Sequence, residues 1–82
     1  LVAAIREISL ADPAVVGLGS VHTMHLGPDE VLLNIEVRFA PGSRTEDVQT
    51  AIRRIEEHIC APFPEVTRIF IEVQAPPEVS PS

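Results

Sequence analysis

The sequence predicts a two-layer α+β domain in which two helices cover one face of a three-stranded mixed sheet. Three observations support this prediction. An apolar residue stands at every second position from Val31 to Phe39, which is the period of a strand with one buried face. Two other segments have apolar residues at helical spacing, and residues 69–73 repeat the two-residue period. The predicted order of elements is α-β-β-α-β.

The first helix is predicted from Leu1 to Asp12, where apolar residues recur at helical spacing. Pro13 disfavours helical geometry at the residue before it, so the helix is expected to end there. Residues 14–19 contain two glycines, which permit bends, and they are predicted to form an extended approach to the next element.

A β-hairpin is predicted from Val21 to Phe39, with its turn at Leu26–Glu30. Gly27 and Pro28 favour a turn between the two strands. On the second strand the buried face is expected to consist of Val31, Leu33, Ile35, Val37 and Phe39.

The second helix is predicted to follow Pro41 and Gly42. Ser43 and Glu46 fit the capping-box pattern, in which both side chains bond to free amides at a helix start. A start at Thr45 is the alternative. The apolar stripe along this helix consists of Val48, Ile52, Ile55 and Ile59.

The last strand is predicted from Val66 to Val73. A helical crossover between two strands of one sheet makes them parallel neighbours. Both helices then cover the same sheet face, as in a ferredoxin-like sandwich that lacks its first strand. Residues 1–74 are predicted to form this single domain, and the Pro/Ser tail, 75–82, is expected to be mobile.

Composition excludes several classes of function. The chain has 82 residues and a formal charge of −6, and its six basic residues are scattered arginines, whereas nucleic-acid binding requires a basic surface. No apolar run approaches the ~18 residues that a bilayer crossing needs. The single cysteine has no partner for an internal disulfide, which suits a reducing compartment. Because the chain starts at Leu1, it is expected to be part of a longer protein.

No enzymatic activity is predicted. The chain has no Gly-rich phosphate loop and no nucleophile elbow. Ser43 is accounted for by helix capping, and Cys60 is expected to be a small buried residue at the end of the second helix. His58 is expected to interact with the dipole of that helix.

The sheet face away from the helices is expected to bind a partner. The side chains predicted on this face are Met24, Leu32, Glu36, Arg38, Arg68, Phe70 and Glu72. Three of them are large and apolar, which is too many for a face that remains exposed to solvent. The predicted homodimer interface consists of Met24, Leu32, Arg38, Arg68 and Phe70.

The candidate metal ligands are His22, His25, Glu36 and Glu72. Strand parity places the two histidines on opposite faces, so the competing interpretation is that they are surface or turn residues. The two glutamates are expected on one face, where they either hold a cation or form cross-strand ion pairs with Arg38 and Arg68.

Three sequence segments, in this order, resemble a known family. They are IREI at 5–8 followed by DPAV at 12–15, TMHLGP at 23–28, and FPEVTRIFIE at 63–72. With this order of elements, the chain resembles the cytoplasmic C-terminal domain of cation diffusion facilitator transporters, which are divalent-metal/proton antiporters.

The resemblance implies a metallochaperone-like fold and a homodimer whose sheets face inward. It also implies a preceding six-helix membrane domain in a bacterial inner membrane, and zinc or a similar divalent ion at the dimer interface. The family's ligand positions correspond to Gly19-Ser20, Glu36, Gln49, Glu72 and Gln74. Most of the usual nitrogen ligands are therefore replaced.

The first hypothesis is a cytoplasmic dimerisation domain that regulates a metal efflux transporter, with metal sensing as a further role. The alternative is a free-standing ferredoxin-like module that binds a metal or a small molecule. A third hypothesis is a purely structural interaction domain that has lost its metal response.

Overall fold

The computed structural model describes residues 1–74, and its elements follow the predicted order. They are α1 (Val2–Leu10), β1 (Val15–Gly27), β2 (Glu30–Phe39), α2 (Thr45–Cys60) and β3 (Val66–Gln74). The sheet order is β1-β2-β3, with β1 antiparallel and β3 parallel to the central strand. The predicted α+β sandwich is therefore confirmed. The tail predicted to be mobile, 75–82, lies outside the described residues.

The core is built on β2, which lies between the other two strands. One side of β2 is buried along its whole length, through Val31, Leu33, Ile35, Val37 and Phe39. The helices contribute Ile5 from α1 and Ile55 and Ile59 from α2, each at most 1% exposed. Full burial of one such side chain contributes about 1.5–3 kcal/mol. This burial holds both helices against the same side of the sheet.

β1 is longer than predicted, because most of the segment 14–19 belongs to the sheet. Val15 pairs with Phe39, so the predicted extended approach is part of the hairpin. The pairing register shifts once before Gly17 and again after Leu18. Such a shift is typical of a β-bulge, which adds an unpaired residue and changes the face to which the following residues point.

α2 begins at Thr45, the alternative start, and the predicted capping box at Ser43 is wrong. Arg44 occupies the N-cap position, and its side chain makes no capping hydrogen bond. The amide and the hydroxyl of Ser43 both donate to the carbonyl oxygen of Ala40, at 3.1 and 2.6 Å. Gly42 takes a φ of 83° in this turn, which suits glycine. Ser43 therefore stabilises the turn before the helix.

Asp12 and Arg54 join the loop after α1 to α2 through a buried carboxylate. Arg54 donates from Nε to Oδ2 at 2.9 Å and from Nη2 to Oδ1 at 2.8 Å, a bidentate geometry that strengthens arginine–carboxylate pairs. The amide of Ala14 donates to the same carboxylate at 3.0 Å. The Asp12 side chain is 2% exposed, so these hydrogen bonds compensate for the burial of its charge.

Replacing Asp12 with asparagine is expected to lower the free energy of unfolding by about 1–3 kcal/mol, because Arg54 and the Ala14 amide lose a charged acceptor. Chemical denaturation of the wild type and Asp12→Asn at neutral pH measures this difference. Glu7→Gln, at an exposed position of α1, is the control and is expected to change stability by less than about 0.5 kcal/mol. Equal effects of the two substitutions would contradict the role of Asp12.

The same pair is expected to make stability depend on pH in the acid range. Hydrogen bonds from Arg54 hold the pKa of Asp12 below its ordinary value of 3.8; burial opposes them and the Ala14 amide assists them. Because the folded pKa is the lower one, this contribution is complete above about pH 4 and is lost as pH falls through the folded value. The stability difference between wild type and Asp12→Asn should therefore shrink below about pH 4. A constant difference down to acid unfolding would show that Asp12 is not the group responsible.

Ser9 on α1 is fully buried, and within residues 1–74 its hydroxyl has no hydrogen-bond partner. Removing a buried hydroxyl without a partner removes a desolvation cost, so Ser9→Ala is expected to raise the free energy of unfolding by up to about 1 kcal/mol. Urea denaturation measures the change, with Ser20→Ala at an exposed position as the control. A loss of stability in Ser9→Ala would mean that the hydroxyl has a stabilising contact.

Candidate functional site

The sheet face opposite the helices, here called the open face, brings together most of the predicted site residues. The pairing register shows which side chains alternate with the buried ones along the three strands. The open face consists of His22, Met24, Leu32, Asn34, Glu36, Arg38, Arg68, Phe70, Glu72 and Gln74. The structure thus places every residue predicted for the dimer interface on one face.

One end of the open face has three large apolar side chains, interspersed with His22, Asn34 and Arg68. Met24 lies opposite Leu32 on the neighbouring strand, and Phe70 lies opposite Asn34, two residues further along β2. Met24 and Phe70 are 59% and 55% exposed, and Leu32 is half-buried. We call Met24, Leu32 and Phe70 the apolar patch. Large apolar side chains grouped at a surface mark interaction sites, whereas isolated ones do not.

The other end of the open face is polar, with Glu36 at its centre. Glu36 Oε1 accepts hydrogen bonds from the Ser20 amide at 3.0 Å and from Gln74 Nε2 at 3.4 Å. Arg6 Nη1, from α1, donates to the carbonyl oxygen of Gly19 at 3.1 Å. We call these five residues the Glu36 cluster. The carbonyl oxygen of Gly19 and the amide of Ser20 thus both have side-chain partners. These two groups form one peptide unit, which lies at the second register shift of β1.

Two glycines of β1 make room for these side chains. A Cβ atom at Gly19 would lie 3.0 Å from Glu36 Cβ and 3.2 Å from Gln74 Nε2, and would collide with Glu36 Oε1. A Cβ atom at Gly17 would collide with the guanidinium of Arg38. These three side chains therefore lie close against the β1 backbone. The sequence pattern did not predict this arrangement, although glycine inside a strand signals the close approach of another group.

The two histidines lie on opposite faces of β1, as strand parity predicts. His22 is opposite Asn34 on the open face, whereas His25 pairs with a residue whose side chain points into the core. Glu36 and Glu72 are register partners on adjacent strands. Within residues 1–74, no group of three or more His, Cys, Asp or Glu side chains is placed to hold a metal ion. The four-residue ligand set stays a prediction.

The prediction of cross-strand ion pairs between the two glutamates and Arg38 or Arg68 is wrong within one chain. The ion pairs in the described part of the chain are Asp12 with Arg54 and Arg44 with Glu46. The guanidinium of Arg38 lies over a glycine of β1, and the Glu36 carboxylate bonds to the β1 backbone. The backbone of β1 thus provides a nearer partner for Glu36 than either arginine does.

The end of α2 differs from the prediction in one respect. His58 lies in the last turn of the helix, as predicted. Cys60, however, is exposed, because the buried stripe of the helix ends at Ile59 and the next residue lies on the solvent side. Its Sγ is 3.6 Å from the carbonyl oxygen of Val66.

A cavity of about 310 Å³ lies where the C-terminal ends of β2 and β3 meet the start of α2. Phe39, Val48 and Val73 contribute apolar walls, and Gln49 and Gln74 contribute polar ones. Both glutamines occupy positions at which the resemblance implies metal ligands. Amide side chains are suited to hydrogen bonding, whereas zinc prefers nitrogen and sulfur donors from His and Cys.

Solved structures with the same fold include C-terminal domains of MamM. The match to MamM-CTD 215-293 has a TM-score of 0.79 at 14% identity and covers 90% of this chain and 92% of that chain. A substituted MamM CTD in its nickel form gives a TM-score of 0.79 at 15% identity, with 90% and 92% covered. A manganese form gives 0.78 at 14% identity, with 90% and 92% covered. These matches establish the metallochaperone-like fold.

The family model ZT_dimer, described as cation efflux protein, cytoplasmic domain, matches residues 1–75. The chain therefore belongs to the family of cation efflux protein cytoplasmic domains. The resemblance inferred from the sequence is confirmed. No curated protein matches the chain. Neither helix in the described range 1–74 has the length and apolar composition that crossing a membrane requires.

Gly19→Ala is expected to lower the free energy of unfolding by about 1 kcal/mol, because a Cβ atom displaces the Glu36 carboxylate from its hydrogen bonds. Gly27→Ala is the matched control, since a Cβ atom there would be 4.0 Å from Glu30 Cβ. The control is expected to be neutral or stabilising, because alanine restricts the unfolded chain. Thermal unfolding of both variants measures the difference. Equal losses of stability would disprove the steric role of Gly19.

Proposed function

We propose that this domain is the cytoplasmic dimerisation and regulatory domain of a divalent metal cation efflux transporter in a bacterial inner membrane. The observation that supports this proposal is the apolar patch. More than half of the surface of Met24 and of Phe70 is exposed, on a sheet face that no helix of the described chain covers. Removing this apolar surface from water is favourable, at about 25 cal/mol per Å².

A second copy of the same chain is the partner that suits this surface. The open face has two arginines and two glutamates, so its positive and negative charges are equal in number. These four residues are Arg38, Arg68, Glu36 and Glu72. Two copies that pair through this face therefore do not repel each other through a net charge. Two-fold association brings the same patch of both subunits together. The family name, ZT_dimer, also supports pairing.

In the full-length protein, this association controls transport by the chain's own transmembrane domain. The two cytoplasmic domains approach or separate, and the membrane domains move with them as metal is exchanged for protons. MamM C-terminal domains have nickel and manganese forms, which supports a divalent metal as the class of cargo. Zinc is the ion that the resemblance implies.

Phe70→Ala is expected to weaken self-association of the domain by at least about tenfold, because a central apolar side chain of the interface is removed. Leu10→Ala is the matched control, since Leu10 is similarly exposed, at 50% against 55% for Phe70, but lies on α1. Sedimentation equilibrium of the wild type and both variants measures the dissociation constants. A monomeric wild type at high micromolar concentration, with or without added divalent metal, would overturn the proposed function.

A further inference from the structure

The hydrogen bonds of Glu36 connect all three strands of the sheet. Its carboxylate belongs to β2, the Ser20 amide that donates to it belongs to β1, and Gln74 belongs to β3. Both donors bond to the same carboxylate oxygen, Oε1. Because Gly19 has no Cβ atom, the carboxylate reaches the β1 backbone without a clash.

These contacts commit one of the two carboxylate oxygens of Glu36 to the sheet. Oε1 is directed at two N–H groups, so only Oε2 is left to face a cation. Within residues 1–74, no group of three or more His, Cys, Asp or Glu side chains is placed around it to hold an ion. The side-chain amide of Gln74 has its nitrogen, and not its oxygen, directed at Glu36. This orientation follows from the hydrogen-bond network, because a carboxylate can only accept a hydrogen bond. His22 is two residues away along β1 from Ser20, and His25 is on the opposite face.

The neighbouring carboxylate provides an internal comparison. Glu72 is the register partner of Glu36 and shares the open face with it. Glu72 is exposed, and within residues 1–74 its side chain takes part in none of the hydrogen bonds that bind Glu36. Two chemically identical groups in adjacent positions therefore have different roles: one bonds to the sheet and the other faces solvent.

We propose that Glu36 in this chain is a strand-linking residue and not a metal ligand, so that divalent cations do not act on the dimer through it. The last clause rests on the proposed function. The Glu36 cluster links β1 to β2 and β3 through the chain's own hydrogen-bonding groups, next to the apolar patch. The apolar patch then provides the contact between subunits.

The strand-linking role is tested by hydrogen exchange of the Ser20 amide, followed by NMR in millimolar EDTA. Glu36→Ala is expected to accelerate this exchange by at least about tenfold, because the amide loses its acceptor. Glu36→Gln retains an accepting oxygen and is expected to stay within about threefold of the wild type. Glu72→Ala is the matched control and is expected to leave the exchange rate unchanged.

Metal independence is tested by measuring the dissociation constant of the dimer in EDTA and in excess zinc chloride or manganese chloride. The two values are expected to agree within about threefold for the wild type and for Glu36→Gln. Tightening by about tenfold or more with either ion, lost in Glu36→Gln, would overturn the inference while leaving dimerisation in place. A chain that is monomeric under all conditions would overturn the proposed function, and the Ser20 exchange would still decide the role of Glu36.

Discussion

The structure depends on the burial of one side of β2. The side chains of Val31, Leu33, Ile35, Val37 and Phe39 are 0–5% exposed, and both other strands pair with this one. A shift of one residue would expose all five and would bury Glu36 and Arg38 instead. The register of the sheet is therefore strongly specified. The composition of the open face follows from it, because each outward residue of β2 is the neighbour of a buried one.

The two ends of the open face make different kinds of contact. At one end, Met24 and Phe70 are more than half exposed within residues 1–74, and the proposed function assigns this end to a partner. At the other end, Glu36 and Gln74 bond to their own sheet. A surface with both properties can present an apolar contact without relying on a bound ion to hold its strands together, since neighbouring hydrogen bonds already do so.

Much of the fold could be predicted because it follows from local periodicity. The order of elements, the hairpin, the faces of β2 and β3, and the stripe of α2 all depend on spacings within about ten residues. The Glu36 cluster could not be predicted in this way. It joins residues that are 13 to 38 positions apart in the chain, and it depends on the room that Gly19 leaves for the Glu36 side chain. The role of Ser43 could not be predicted for a different reason. Its hydroxyl is suited both to capping a helix and to stabilising a turn, and in the structure it bonds within the turn at Gly42.

The long sequence separations within the Glu36 cluster also bear on how the domain folds. Arg6, the Gly19–Ser20 peptide, Glu36 and Gln74 come from the first helix, both strands of the hairpin and the last strand. The hairpin and α2 depend on near neighbours, so they can form early, whereas the complete cluster requires β3 to dock. Interactions that form after the transition state mainly slow unfolding and leave the folding rate nearly unchanged. The bond from Gln74, which requires β3, is therefore expected to act mainly on the unfolding rate, and with it on how long the open face stays assembled.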